Sequence, residues 1–139
     1  MRRDMHPDFV SLLLLKDSKL IELFTDLREF ILDIYPDSNE LLYHTHALTA
    51  AFSISERLTD TFCMLPIYTN HVNLGFYKGT LLDDHHNLLK GTGNLIRHIP
   101  IVTTSDKALV KAAVEFAIAD MDTPSASTGQ TISKIKTSK

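Results

Sequence analysis

Apolar residues recur at intervals of three and four along residues 19–34, at Leu20, Ile21, Leu23, Phe24, Leu27, Phe30, Ile31 and Ile34. This spacing predicts an amphipathic helix with one buried face. Asp17 and Ser18 stand before the helix as candidate N-caps, and Pro36 ends it because proline has no amide hydrogen to donate. The apolar centre of residues 7–16 predicts a shorter helix upstream.

Further along the chain, the pattern changes to the alternation of positions that is typical of strands. Residues 42–54 predict one long strand with a bend near Ala50, and residues 61–68, 71–77 and 95–102 predict three more. These strands follow one another along the chain, which predicts an antiparallel meander.

A second long helix is predicted after the strands. Residues 103–106, Thr-Thr-Ser-Asp, match a capping box, and the helix that they open runs to Asp120. After Met121 the chain has too few apolar residues to offset the entropy of ordering. We therefore predict one domain over residues 1–121 and a disordered polar tail over residues 122–139.

This order of elements predicts an α+β fold. The sheet is expected to be twisted and antiparallel, with about four strands, and both long helices are expected to pack on one of its faces.

Composition narrows the classes of protein that the chain can belong to. The 139 residues are 44% hydrophobic and 22% charged, and the net charge of −3 argues against a nucleic-acid-binding protein with a basic face. No apolar run approaches the roughly eighteen residues that a membrane helix needs, and no signal peptide is recognisable. We expect no nucleic-acid or membrane partner. The single cysteine, Cys63, suits a reducing compartment, so we predict a cytoplasmic protein with a buried, inert thiol.

Several spaced motifs occur within residues 19–120. They are Tyr35-Pro36-Asp37, Glu40, His71-Val72, Leu74-Gly75-Phe76, Gly79, Leu82, Asp84, Leu88-Leu89, Gly91-Thr92-Gly93 and Arg97-His98-Ile99. In these motifs the chain resembles the YdhG-like bacterial domains of unknown function, which are structurally related to frataxin. That family usually has an aspartate-proline pair where this chain has Asp84-His85. The resemblance implies a frataxin-like fold but little chemistry. One group of the family is proposed to carry iron, which implies iron binding as a testable activity.

Four acidic residues are candidates for binding iron or another divalent metal. Glu22, Asp26, Glu29 and Asp33 line one side of the first long helix, and carboxylate oxygens suit hard cations. The alternative is the solvated face that any amphipathic helix has, with Arg28 paired to these acids.

Two histidines form a second candidate metal site. His44 and His46 share a face of the predicted first strand, a spacing that can chelate a transition metal if a third ligand approaches. The alternative is that both are hydrogen-bonded side chains on a part-buried sheet face.

A candidate anion site consists of His71, Asn73 and Arg97. If the third and fourth strands are neighbours, these side chains meet beside Gly75 and Gly93, where the missing Cβ atoms leave room for a ligand. Arginine and histidine favour a carboxylate or phosphate. The alternative is structural: Arg97 and His71 bond to backbone carbonyls and so hold the loop Gly91–Gly93 in place. Adjacent Arg97 and His98 point to opposite faces of a regular strand, so at most one of them joins the site.

Three functional hypotheses follow from these residues. The first is a non-enzymatic binding or carrier module for a metal ion, such as iron, or for a small anion. The second is an interaction protein without a small-molecule ligand that forms a homodimer through its sheet or a strand edge. The third is an enzyme that uses His71 together with an anion-holding Arg97, although no catalytic residue is assigned.

Overall fold

A computed structural model describes residues 4–44, 47–69, 71–76, 97–101, 111, 114, 115, 117, 118 and 128–134, and for residues 59 and 97–100 it describes the backbone alone. Helices α1 and α2 span Pro7–Leu13 and Ser18–Ile34, and residues 111, 114, 115, 117 and 118 are also helical. The strands are β1 (Asn39–His44), β2 (Leu48–Ser53), β3 (Thr61–Ile67), β4 (Val72–Phe76), β5 (Arg97–Ile101) and β6 (Thr131–Ser133).

Helix α2 is the helix that the three- and four-residue spacing predicts. Its N-cap is Asp17, whose carboxylate accepts a hydrogen bond from the amide of Lys19 at 2.9 Å. Its C-cap is Tyr35, directly before Pro36. The helix buries one apolar side, which includes Leu20, Leu23, Phe24, Leu27 and Ile31. None of the helices in the described ranges is long and apolar enough to span a bilayer.

The described strands form a mixed sheet in the order β5-β4-β3-β2-β1-β6. The chain is therefore α+β, as predicted. Neighbours from β1 to β5 are antiparallel, whereas β6 pairs with β1 in parallel. The sheet thus has more strands than the four that the alternation indicated.

The predicted single strand over residues 42–54 is wrong. The chain reverses between His44 and Leu48, and its two halves pair as β1 and β2, with Leu42 opposite Ala50. A hairpin and a bent strand show the same alternation of apolar positions, because paired residues of antiparallel strands share a face. The alternation alone could not separate the two structures.

The prediction that the whole tail is disordered is also wrong for residues 128–134. In this segment Thr131, Ile132 and Ser133 form β6 and pair with Glu40, Leu41 and Leu42, respectively. The segment has little apolar surface of its own, but the free edge of β1 offers backbone groups that its amides and carbonyls satisfy. The domain therefore includes residues beyond 121.

The main core lies between the helices and one face of the sheet. It contains Leu42 of β1, Leu65 of β3 and Leu74 of β4, together with the buried residues of α1 and α2. Val114 and Ala117 are buried in the same core, so their helical segment lies on the same side of the sheet as α2. The predicted capping box at residues 103–106 lies outside the described residues.

The second face of the sheet has a smaller apolar cluster. Leu41, Ala51 and Met64 are buried there, and Tyr43 and Ile132 pack against them. The hydroxyl of Tyr43 donates to the sulfur of Met64 at 3.7 Å. Because Ile132 belongs to β6, this cluster ties the tail segment to β1 from the face opposite the helices.

Candidate functional site

The predicted anion site of His71, Asn73 and Arg97 is not assembled by the sheet. Strands β4 and β5 are neighbours, as the prediction requires, with Asn73 opposite Pro100 and Phe76 opposite Arg97. However, Asn73 and Phe76 are three residues apart, and successive residues of a strand alternate between faces. Position 97 therefore belongs to the face of Phe76, whereas Asn73 belongs to the other face. The enzyme hypothesis needs the same convergence of His71 and Arg97, and it stays a prediction.

His71 and Asn73 have different surroundings. The ring of His71 stacks on that of Tyr68, with centroids 5.0 Å apart, and the Tyr68 amide donates to the His71 carbonyl at 2.8 Å to close the turn between β3 and β4. Asn73 is only 6% exposed, and its Oδ1 has no hydrogen-bond partner within the described part of the chain. The structural alternative for His71 and Arg97 involves residues 91–93, which lie outside the described part of the chain, so both interpretations stay predictions.

The candidate metal ligands are dispersed. On α2, Glu22 and Asp33 are exposed, whereas Asp26 and Glu29 are half-buried. His44 is exposed at the end of β1, and His46 lies outside the described residues. Across the ranges that the structure describes, no three His, Cys, Asp or Glu side chains converge in a way that could hold a metal ion. Metal binding stays a prediction.

Arg28 does not pair with the acids of its own helix, as the structural alternative for the acidic residues supposed. Its Nε donates to Oε2 of Glu40 at 2.5 Å, and its terminal nitrogen Nη2 donates to Oε1 at 2.7 Å. Arg28 is 3% exposed and Glu40 is fully buried. This two-point ion pair joins the centre of α2 to β1.

The edge of the sheet at β1 combines backbone hydrogen bonds with buried polar side chains. We call residues 37–42, which receive β6, the β1 edge. Its backbone accepts a hydrogen bond from the Gly129 amide at Asp37 (3.0 Å) and another from the Lys134 amide at Leu42 (2.7 Å). It also donates one, from the Glu40 amide to the Gln130 carbonyl at 2.8 Å.

Two buried side chains of the β1 edge also hold the tail segment. The Oδ1 atom of Asn39 accepts from the amides of Thr128 and Gln130, both at 3.1 Å. Oε1 of Glu40 accepts from the hydroxyl of Thr131 at 3.0 Å. The carboxylate of Glu40 therefore accepts hydrogen bonds from both Arg28 and the tail segment.

These residues were not among the sequence-predicted site residues. Two features of the sequence pointed towards them. Asn39 and Glu40 are polar residues directly before an apolar strand, and Gly129 precedes the β-type run Thr131, Ile132 and Ser133. Gly129 has a φ of 72°, which favours glycine, and so marks a turn into a strand. Neither feature reveals which strand the segment would join.

A groove of about 460 Å³ lies elsewhere, between the end of α2 and the helical residues near 115, and is lined by Asp33, Ile34, Tyr35, Lys111, Glu115 and Ile118. It is open to solvent, and Lys111 and Glu115 on its wall form an exposed ion pair at 3.7 Å. Cys63 is buried in the main core, and burial raises the pKa of its thiol well above the ordinary value, as an inert thiol requires.

Comparison with known proteins gives no relative for this chain. No protein-family model, no curated protein and no solved structure matches it. The YdhG-like resemblance therefore stays a prediction.

Proposed function

We propose that this protein is a non-enzymatic interaction protein that forms a homodimer through the β1 edge, without a small-molecule ligand. The observation that carries the proposal is the attachment of residues 128–134. The hydrogen bonds described for this segment reach Asp37, Asn39, Glu40 and Leu42, which are about 90 residues away in sequence.

Strand addition at a sheet edge can operate within one chain or between two. Residues 128–134 of a second copy would offer the β1 edge the same amides, carbonyls, hydroxyl and apolar side chain as the copy's own segment. A dimer that exchanges this segment keeps these contacts and differs from the monomer mainly in the path of the connecting residues. Those connecting residues, 119–127, include a proline and several small polar residues, which is a composition typical of linkers.

Light scattering coupled to size exclusion tests the proposal. We expect the molar mass of the wild-type chain to rise with protein concentration towards that of a dimer. Ile132→Asp, which removes the apolar anchor of β6, should lower the dimer fraction. Lys134→Gln, at an exposed position, is the matched control and should leave the fraction unchanged. A wild-type monomer at every concentration would contradict the proposal.

A carrier of iron, another divalent metal or a small anion is the competing hypothesis. The exposure of Glu22 and Asp33 on α2 supports it. Calorimetric titration with ferrous or zinc ions distinguishes the two functions. Saturable binding that is lost in the Glu22→Gln, Asp26→Asn double variant would favour the carrier, and phosphate titration tests the anion in the same way.

A frataxin-like fold, as the YdhG-like resemblance implies, is a further part of this proposal. Its support is the antiparallel run β1 to β5 with α2 packed on one face. The parallel β6 is an addition to the antiparallel sheet that the resemblance implies.

A further inference from the structure

We infer that the β1 edge selects its partner strand by sequence, and that each chain's own residues 128–134 compete with those of a second copy for this edge. The inference rests on the proposed function, because it names what the homodimer contact recognises and what limits it. The occupant is an extended segment with glycine, then a hydroxyl residue two positions later, then a β-branched apolar residue.

Backbone contacts set the position of the segment. The Oδ1 atom of Asn39 receives the amides of residues 128 and 130, and the Glu40 amide donates to the carbonyl of residue 130. Asn39 is fully buried with the segment in place, so both of these bonds are shielded from water. Any peptide can supply such amides and carbonyls, so these contacts provide affinity and register but little selectivity.

Selectivity comes first from Thr131. Its hydroxyl donates to Oε1 of Glu40, a buried oxygen that also accepts from Nη2 of Arg28. A residue without a hydroxyl would put a methyl group against this carboxylate and leave the oxygen with fewer donors. The β1 edge therefore prefers threonine or serine at this position.

Ile132 and Gly129 add two more requirements. Ile132 packs on the second face of the sheet against the cluster that contains Leu41, where a charged side chain would be desolvated without a partner. Gly129 has a φ of 72° while its amide donates to the Asp37 carbonyl at 3.0 Å. Residues with a Cβ atom rarely adopt this conformation. The β1 edge therefore selects for Thr131 on one face of the segment, for Ile132 on the other face, and for Gly129 at the turn that precedes it.

A chain's own residues 128–134 compete with a free segment because they are covalently attached to the domain that contains the β1 edge. A tethered segment acts at an effective concentration on the order of millimolar, so a free segment must displace an occupant that is always present. Disabling the chain's own segment should therefore strengthen the binding of a free one, whereas a peptide site elsewhere on the chain would show no such dependence.

The test uses full-length chains and a fluorescein-labelled peptide that corresponds to residues 127–135, followed by fluorescence anisotropy. The receiving chain is wild type, Ile132→Asp, or the control Lys134→Gln. We expect the peptide to bind the Ile132→Asp chain at least about tenfold more tightly than the other two. Equal binding to all three chains would overturn the inference.

Peptide variants test the selectivity on the same Ile132→Asp chain. A Thr131→Val peptide should bind about tenfold more weakly, as expected for one lost hydrogen bond to a charged group, and a Thr131→Ser peptide should bind nearly as well as the wild-type sequence. An Ile132→Asp peptide should not bind. Equal affinities of the valine and serine peptides would overturn the role of Glu40.

A second receiving chain guards against a folding defect in the first. Gly129→Val disables the segment through its backbone and leaves β1 unchanged, so it should gain peptide affinity as Ile132→Asp does.

Failure of the proposed function can be distinguished from failure of this inference. If the peptide binds but the wild type is strictly monomeric, the β1 edge is a selective peptide site and the homodimer is ruled out. If the wild type dimerises but its chains never bind peptide, the dimer contact lies elsewhere and this inference is overturned.

Discussion

Arg28 of α2 and Glu40 of β1 face each other across the interior with two parallel hydrogen bonds, of 2.5 and 2.7 Å, and neither side chain is more than 4% exposed. Removing both charges from water is costly, and this cost is offset by the two-point match between the guanidinium and the carboxylate and by the third donor, Thr131. The pair joins the helix layer, the sheet and the C-terminal segment at one point.

Replacing only one partner of this ion pair should lower the free energy of unfolding more than replacing both partners. Glu40→Gln leaves the buried guanidinium without a counter-charge, and we expect it to lower the free energy of unfolding by about 3–5 kcal/mol. Urea unfolding measures the loss. The double variant Arg28→Met, Glu40→Leu is the control, since it buries apolar groups in place of both charges and should be more stable than the single variant. A double variant that is less stable than Glu40→Gln would contradict this account.

Gly129→Ala should loosen the attachment of residues 128–134 without unfolding the core. An alanine in the left-handed region costs about 1–2 kcal/mol, so amides of the segment such as those of Gln130 and Lys134 should exchange about 5- to 30-fold faster with solvent. Hydrogen exchange by NMR measures this. Thr128→Ala is the matched control, because it keeps the amide that Asn39 binds. Unchanged exchange in Gly129→Ala would show that the turn is not strained.

Gly75 leaves room for the close approach of the Met64 side chain. A Cβ atom at position 75 would lie 3.0 Å from Cγ and 3.2 Å from Cε of Met64. Because the methionine side chain can shift, we expect Gly75→Ala to cost about 1–2 kcal/mol of stability, measured by thermal or urea unfolding. In a Met64→Ala background the same change should cost close to nothing. Equal costs in the two backgrounds would refute the contact as the cause.

Cys63 should make stability fall at alkaline pH. Burial raises the pKa of its thiol well above the ordinary value of 9.0, so the unfolded chain loses this proton at a lower pH than the folded one. The contribution of Cys63 is complete below pH 9.0 and is lost as pH rises towards the folded pKa, by up to about 1.4 kcal/mol per pH unit.

Urea unfolding between pH 8 and 10.5 compares the wild type with Cys63→Val, which has no thiol to titrate. The difference in unfolding free energy between the two should change with pH only above about 9. A constant difference across this range would mean that the thiol is not shielded from water in the folded chain.

The spacing of apolar residues along the chain correctly predicted the features that depend on short-range interactions, above all helix α2. The apolar spacing of α2 and its Asp17 cap were readable from sequence, because a helix satisfies its backbone within itself and only its buried face depends on the rest of the chain. The α+β class followed from the order of such elements. Even so, the alternation between residues 42 and 54 did not show that the chain reverses after His44.

Residues distant in sequence were brought together, or kept apart, by tertiary structure alone. The pairing of β4 with β5 put position 97 on the face of Phe76, away from Asn73, because register depends on both strands. Likewise, Glu40 acquired Arg28 and Thr131 as partners from 12 residues before it and 91 residues after it. The sequence by itself determined the helices and the α+β class, whereas the β1 edge and its occupant were decided by which backbone groups remained unpaired when the sheet formed.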